Sequence, residues 1–288
     1  MSEYWKGIAK RSRDVQYEEP GQRLEIKMVG IRGFSVPVSK FSRDNLNFAM
    51  ASVNAFVDLP EKMRGINMSR TAVSISSAVS SVSKIEELAS MIALKLLEVH
   101  EYSLRSVVKL KGEGFIFTKS PVTGLESIER FGFFEISKIE RGKIEENIIG
   151  TEVTGISACP CGAELMRTKL NGIDVNPTHM QRAEVKVALK VSGKYFAKFE
   201  ELIDIAYRSL SERAYSSLKR ADEAFLIYSS LKNTKFVEDI YRSAVSDLYQ
   251  KFKDMNGISG VFAMVRSMES IHGYDAVASG WLNITAKK

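Results

Sequence analysis

Two periodicities alternate along this chain, and their order constrains the fold more than any single motif. Leu24, Ile26 and Met28 alternate with Glu25 and Lys27, and after the turn-prone FSRDN the run NFAMASVNAFVDLP reads as a second strand. A serine-rich stretch then leads into IEELASMIALKLLEVH, where Ile85, Leu88, Ile92, Leu96 and Val99 fall on one helical face. VVKLKGEGFIFT and FGFFEIS return to strand character. The second half repeats the order: ENIIGTEVTGISA, then RAEVKVALKVSG with Val185, Val187, Leu189 and Val191 alternating. Helices follow, marked by Ile203, Ala206, Tyr207 and Leu210 and by Val237, Ile240, Ala244 and Leu248, before the strands GISGVFAMVRSM and AVASGWLNIT. The pattern strand, strand, helix, helix, strand, strand thus occurs twice. No fixed sequence period accompanies it, so the repeat is one of architecture. The polar ERGKIEEN divides the chain into units 1–140 and 141–288. No Pro/Gly/Ser linker marks that boundary, which leaves open a sheet shared by both halves.

With 288 residues, 44% of them hydrophobic, the chain has enough apolar material for a buried core. Its first residues mix charges of both signs without the apolar stretch of a signal peptide. No window approaches the roughly 18 uninterrupted apolar residues of a membrane span. A soluble, cytoplasmic protein without membrane contact is expected. Lys and Arg number 41 against 35 Asp and Glu, a net charge of +6 that favours an anionic partner. The basic residues are scattered among acids, which argues against a nucleic-acid binder.

Both cysteines lie in SACPCG, as Cys159 and Cys161 with Pro160 between them. An i, i+2 pair is poorly placed for an unstrained disulfide, and a closed zinc site is short of ligands with only His100, His179 and His272 in the chain. His179 precedes the alternating strand in PTHMQRAEV. Glu269 and His272 of MESIHGYD would share a face if that segment were a helical turn, ended by Gly273. A thiolate, two imidazoles and a carboxylate suit Fe(II) or Zn(II). Each also has a plainer reading: a buried inert cysteine, a hydrogen-bonded imidazole, and for Glu238 in KFVEDIYR a carboxylate favoured by a helix dipole. Arg182, Lys219 and Arg220 could equally be surface charges. Spacing alone does not bring these residues together.

ACPCG, THMQRAEV, SLKRADEAF, KFVEDIYR and MESIHGYDA, in this order, resemble the motifs of the metal-dependent GTP cyclohydrolases of the archaeal MptA type and the related bacterial type IB enzymes. NAFVDLPEKMRGINMSR in the first half is similar to that family's strand and Met-Ser-Arg segment. The resemblance implies an α+β fold of tandem tunnelling-fold units: an antiparallel sheet with helices packed on one face. It also implies a homo-oligomer, dimer or tetramer, with active sites at subunit interfaces.

By the same resemblance, Cys159 and His179 are metal ligands with Glu223 as a third, Glu269 and His272 complete the catalytic set, and Glu238 binds guanine. A carboxylate's two acceptor oxygens match two neighbouring donors on the guanine edge. Cys161, with Pro160, shapes the turn. Arg182 and Arg220 are candidate triphosphate contacts by charge. Fe(II) is the expected metal, with Mn(II) or Zn(II) as alternatives, activating water for attack on C8 of GTP and release of formate. The archaeal branch gives 7,8-dihydroneopterin 2',3'-cyclic phosphate and diphosphate; the bacterial branch keeps the triphosphate. Asn67 stands where the family usually has a histidine before Met68-Ser69-Arg70, so that segment receives no catalytic role. An insertion containing TKLNGIDVN favours the archaeal branch. Two rivals are a nitrile reductase on the same fold, whose lysine-rich NADPH motif is not visible here, and a basic RNA-binding module, for which no aromatic platform is seen.

Overall fold

The computed structural model describes residues 2–143, 146–170, 174–193 and 197–284. Part of the TKLNGIDVN insertion, 171–173, lies outside them. An N-terminal helix α1 (Ser2–Arg11) precedes the strands β1 (Ile26–Pro37) and β2 (Leu46–Leu59), the helices α2 (Met68–Ser81) and α3 (Leu88–Val99), and the strands β3 (Arg105–Lys119) and β4 (Glu126–Glu140). The second half runs β5 (Glu146–Ala158), α4 (Pro160–Lys169), β6 (Met180–Val191), α5 (Phe199–Ser209), the short β7 (Glu212–Arg213), α6 (Arg220–Lys232), α7 (Val237–Phe252), β8 (Ile258–Ser267) and β9 (Ala276–Asn283). The strand and helix pattern does occur twice, with α4, β7 and α6 added to the second copy.

Every strand pairing is antiparallel, and the strands lie in the order β1-β2-β3-β4-β5-β6-β8-β9, with β7 paired to β5. The two halves therefore share one sheet, joined where Gly132–Lys138 of β4 pair with Glu146–Glu152 of β5. Alternation explains why it is covered on one side. In β3, Val108, Leu110 and Ile116 are buried while Lys109, Lys111 and Glu113 between them are exposed. Helices α2, α3, α5 and α7 pack on the strands. Gly112 and Gly114 of β3 stand opposite Phe133 and Phe131, and a Cβ at either would lie 2.2 or 2.5 Å from the facing ring. These rings meet Phe48 of β2 and Phe199 of α5 in one aromatic cluster that spans both halves. Burial of each such ring stabilises the fold by about 1.5–3 kcal/mol.

Some elements depart from the periodic reading. The serine-rich stretch is itself a helix, α2, capped by Asn67, whose side chain accepts from the Arg70 N–H at 3.1 Å. Its buried face is Thr71, Ser74, Ile75 and Ala78, a helical stripe hidden by its small polar members. Leu24 lies before β1, an edge strand that is largely exposed. Leu210 caps α5 rather than belonging to it. No helix among the described residues is long and apolar enough to cross a membrane.

Polar contacts reinforce the join. Arg43, just before β2, pairs with Glu86 and with Glu200 of α5. Asp222 of α6 is buried and accepts from the Val122 and Thr123 N–H groups (2.9 Å each), the Thr123 hydroxyl (2.6 Å) and the Lys219 N–H (3.0 Å). Burial pushes its carboxyl up, but those hydrogen bonds outweigh burial and hold it well below the usual carboxylate range.

Glu135 of β4 shows the opposite balance. It is buried at the start of α3, accepting the Ala89 N–H at 2.9 Å through Oε2, while Oε1 has no hydrogen-bond partner among the described residues. Burial drives its carboxyl well above the ordinary range against that one hydrogen bond, and Glu86 and Glu87 add to the effect. Because the folded value exceeds the unfolded one, Glu135 contributes most to stability in acid, and that contribution is lost as pH rises through the folded value. Glu135→Gln is expected to raise the thermal midpoint at alkaline pH and to lose this advantage as pH falls; unfolding scans across pH would show it, and a pH-independent difference would refute it.

Candidate active site

The end of β5, the start of β6, the start of α7, the segment that follows β8 and the start of β9 converge on one pocket of about 320 Å³. Ser157, Cys159, Cys161, His179, Gln181, Lys235, Phe236, Val237, Glu238, Glu269, His272, Tyr274 and Ala276 line it. That size is at the small end of the range for small-molecule sites. Five residues singled out by sequence, Cys159, His179, Glu238, Glu269 and His272, are thus brought together from four separate segments.

Local chemistry explains how each is held. Cys159 leaves β5 as the N-cap of α4, with Pro160 in the first turn, where its missing N–H costs nothing. The Gly162 N–H points to Cys159 Sγ at 3.5 Å. The Cys159 N–H donates to the His179 carbonyl at 3.2 Å, and the Thr178 hydroxyl donates to the Cys159 carbonyl at 2.9 Å. Thiol and imidazole are therefore tied through their own backbones. Cys161 is exposed on the same turn.

His179 Nδ1 lies 2.9 Å from Gln181 Oε1, and Nε2 makes no hydrogen bond among the described residues. Glu238 occupies the first turn of α7, exposed at the pocket wall. Glu269 and His272 lie in an irregular segment between β8 and β9, not in a helical turn. His272 stacks on Tyr274 with ring centroids 5.2 Å apart and planes 8° from parallel. Lys235 turns its ammonium away to the C-terminal end of α5, donating to the carbonyls of Ser209 at 2.8 Å and of the capping Leu210 at 3.0 Å. Burial pulls that ammonium below the ordinary lysine range, with Asp247 and Asp239 opposing.

The other candidates lie elsewhere. Glu223 is exposed on α6, Arg220 is exposed at the start of that helix, and Arg182 is exposed on β6; none lines the pocket. Among the described residues no three His, Cys, Asp or Glu side chains form a ready metal cage. The donor chemistry of Cys159 and His179 nevertheless fits a borderline-soft divalent ion: a thiol sulfur and an imidazole whose second nitrogen has no hydrogen bond among the described residues. Gln181, Lys235, Phe236 and Tyr274 were not singled out by sequence. For Gln181 the signal was available, since residues two apart on a strand share a face.

The family model described as Type I GTP cyclohydrolase folE2 matches residues 13–278. GTP cyclohydrolase MptA of Methanospirillum hungatei JF-1 is 30% identical over 300 residues, covering 95% of this chain and 91% of the relative. GTP cyclohydrolase MptA 1 of Methanocella arvoryzae is 31% identical over 288 residues, covering 92% and 91%. Among solved structures, uricase from Arthrobacter globiformis superposes with a TM-score of 0.51 at 8% identity over 93% of this chain and 96% of its own. Urate oxidase from Bacillus sp. TB-90 gives 0.51 at 10% identity over 90% and 100%. At such identities these two speak for the fold alone, an α+β tunnelling fold.

The first turn of α4 leaves no room for a side chain at position 162. A Cβ there would lie 2.2 Å from Thr178 Oγ1 and 3.5 Å from His179 Cδ2. Gly162→Ala is expected to destabilise the protein by about 1–3 kcal/mol through overpacking. Adding Thr178→Ala should recover most of that loss in thermal unfolding; additive losses in the double variant would show that this contact is not the cause.

Proposed function

The chain belongs to the type I GTP cyclohydrolase folE2 family, and from that premise we propose that it opens the imidazole ring of GTP at C8, releases formate and forms 7,8-dihydroneopterin 2',3'-cyclic phosphate with loss of diphosphate. The observation that carries this reading is the single pocket holding Cys159, His179, Glu238, Glu269 and His272. It is an enzyme of pterin biosynthesis, similar over nearly its whole length to MptA proteins. The cyclic phosphate product follows from that likeness; the triphosphate-retaining outcome is the alternative.

Cys159 and His179 would hold a divalent metal, Fe(II) in this reading, with Mn(II) or Zn(II) as substitutes. Bound there, such an ion supplies Lewis acidity that makes water nucleophilic near neutral pH. Glu238 orients the purine, its two carboxylate oxygens accepting from the N1–H and the exocyclic amine of guanine. The flat His272 and Tyr274 pair offers an aromatic surface beside it. Glu269 and His272 carry protons between the attacking water and the departing ring nitrogen, as positioned carboxylates and imidazoles do. Glu223, Arg182 and Arg220 lie outside this pocket. In a homo-oligomer with sites between subunits, they would act from a neighbouring copy.

Anaerobic incubation with GTP and Fe(II), following formate and identifying the pterin by mass spectrometry, tests the reaction. The cyclic phosphate is expected; a triphosphate product would move the chain to the bacterial-type outcome. Absence of formate with Fe(II), Mn(II) and Zn(II) alike would overturn the proposal. Cys159→Ala and His179→Ala should each abolish metal binding and turnover together, while Cys161→Ala, altering an exposed thiol, should have a milder effect. Metal content and turnover equal to the unsubstituted protein in the first two variants would refute their assignment as ligands.

A further inference from the structure

Gln181 stands between His179 and Glu269. Its Oε1 is 2.9 Å from His179 Nδ1, and its Nε2 is 3.2 Å from Ser267 Oγ and 3.4 Å from Glu269 Oε1. The two ends of a side-chain amide are told apart by their neighbours. A carboxylate accepts and does not donate, so the end of the amide facing Glu269 is the NH2 group. The carbonyl end then faces His179. An amide oxygen only accepts, so Nδ1 of the neutral ring carries the proton. Ser270 completes the arrangement: its Oγ is 3.3 Å from His179 Nδ1 and 3.4 Å from Gln181 Oε1.

We infer that Gln181 is a positioning residue, through which the carboxylate of Glu269 fixes His179 in its Nδ1–H tautomer and leaves Nε2 as the electron-pair donor. For its consequence in metal binding, this inference rests on His179 being a ligand. A ligating imidazole whose other nitrogen donates to a fixed acceptor is oriented and made a better donor, and loss of such a partner typically costs about 10–100-fold in metal affinity. The strand supplies the geometry without further cost in order: His179 precedes β6 by one residue, Gln181 lies two residues on, and Ser267 ends β8, which pairs with β6.

The test uses metal-free full-length protein labelled with 15N-histidine. Only three histidines are present, His100, His179 and His272, so each ring can be assigned. At mildly alkaline pH, two-bond 1H–15N correlations should report Nδ1–H for His179 in the unsubstituted protein. Gln181→Ala should shift it toward Nε2–H, the form imidazole side chains prefer in water, and lower Zn(II) affinity in chelator competition by about 10–100-fold. Gln181→Glu, which keeps an acceptor facing Nδ1, should retain Nδ1–H and guards against a fold defect in the alanine variant. Nε2–H in the unsubstituted protein, or Nδ1–H unchanged in Gln181→Ala, would overturn the inference. A changed tautomer with unchanged Zn(II) affinity would overturn its metal-binding half. Failure of the unsubstituted protein to bind any divalent ion would sink the ligand assignment, while the tautomer result still decides the role of Gln181.

Discussion

The antiparallel pairing of β4 with β5 is the contact on which the remaining architecture depends. It converts two strand and helix units into one sheet, and only a continuous sheet gives the helices of both halves a common surface to cover. The aromatic cluster of Phe48, Phe131, Phe133 and Phe199 lies under that join, and Arg43 bridges it through Glu86 and Glu200. β5 then continues from the join to Ser157 and Cys159, so the strand that fuses the halves also delivers the candidate site. Its pairing with β6 sets Cys159 against His179, which the Cys159 N–H to His179 carbonyl bond makes explicit.

Much of this was legible because burial is one-sided. In β6 the alternation of Val185, Val187, Leu189 and Val191 records directly which face meets the helices, and α7 shows the same clarity in Val237, Ile240, Ala244 and Leu248. Where the buried face is made of small polar groups the signal fades: α2 turns Thr71 and Ser74 inward, and hydropathy does not register them. Helix α6 fails for the converse reason. It buries Asp222, Leu226 and Ser230 while leaving Phe225, Ile227 and Tyr228 exposed, so its apolar residues mark the wrong side.

The site divides in the same way. Cys159 and His179 belong to side-chain types rare in this chain and could be picked from the sequence, Glu238 was reached only through the family resemblance, and the fold brings all three to one pocket. Gln181 and Lys235 could not, because an amide and an ammonium acquire meaning from what they face. Gln181 faces an imidazole on one side and a carboxylate on the other; Lys235 faces the end of α5. Glu269 and His272 both line the pocket, on an irregular segment whose geometry no periodicity encodes.

Spatial order and chain order coincide across the main sheet, from β1 to β9. In kinetic terms, no strand has to be threaded between two that are already paired, and the sheet can grow from its first edge as the chain emerges during synthesis. The pocket draws on β5, β6, α7, the segment between β8 and β9 and the start of β9, all in the later part of the chain. Growth in that direction makes the site the last region of the molecule to be completed, closed when β9 docks and carries Ala276 into its wall.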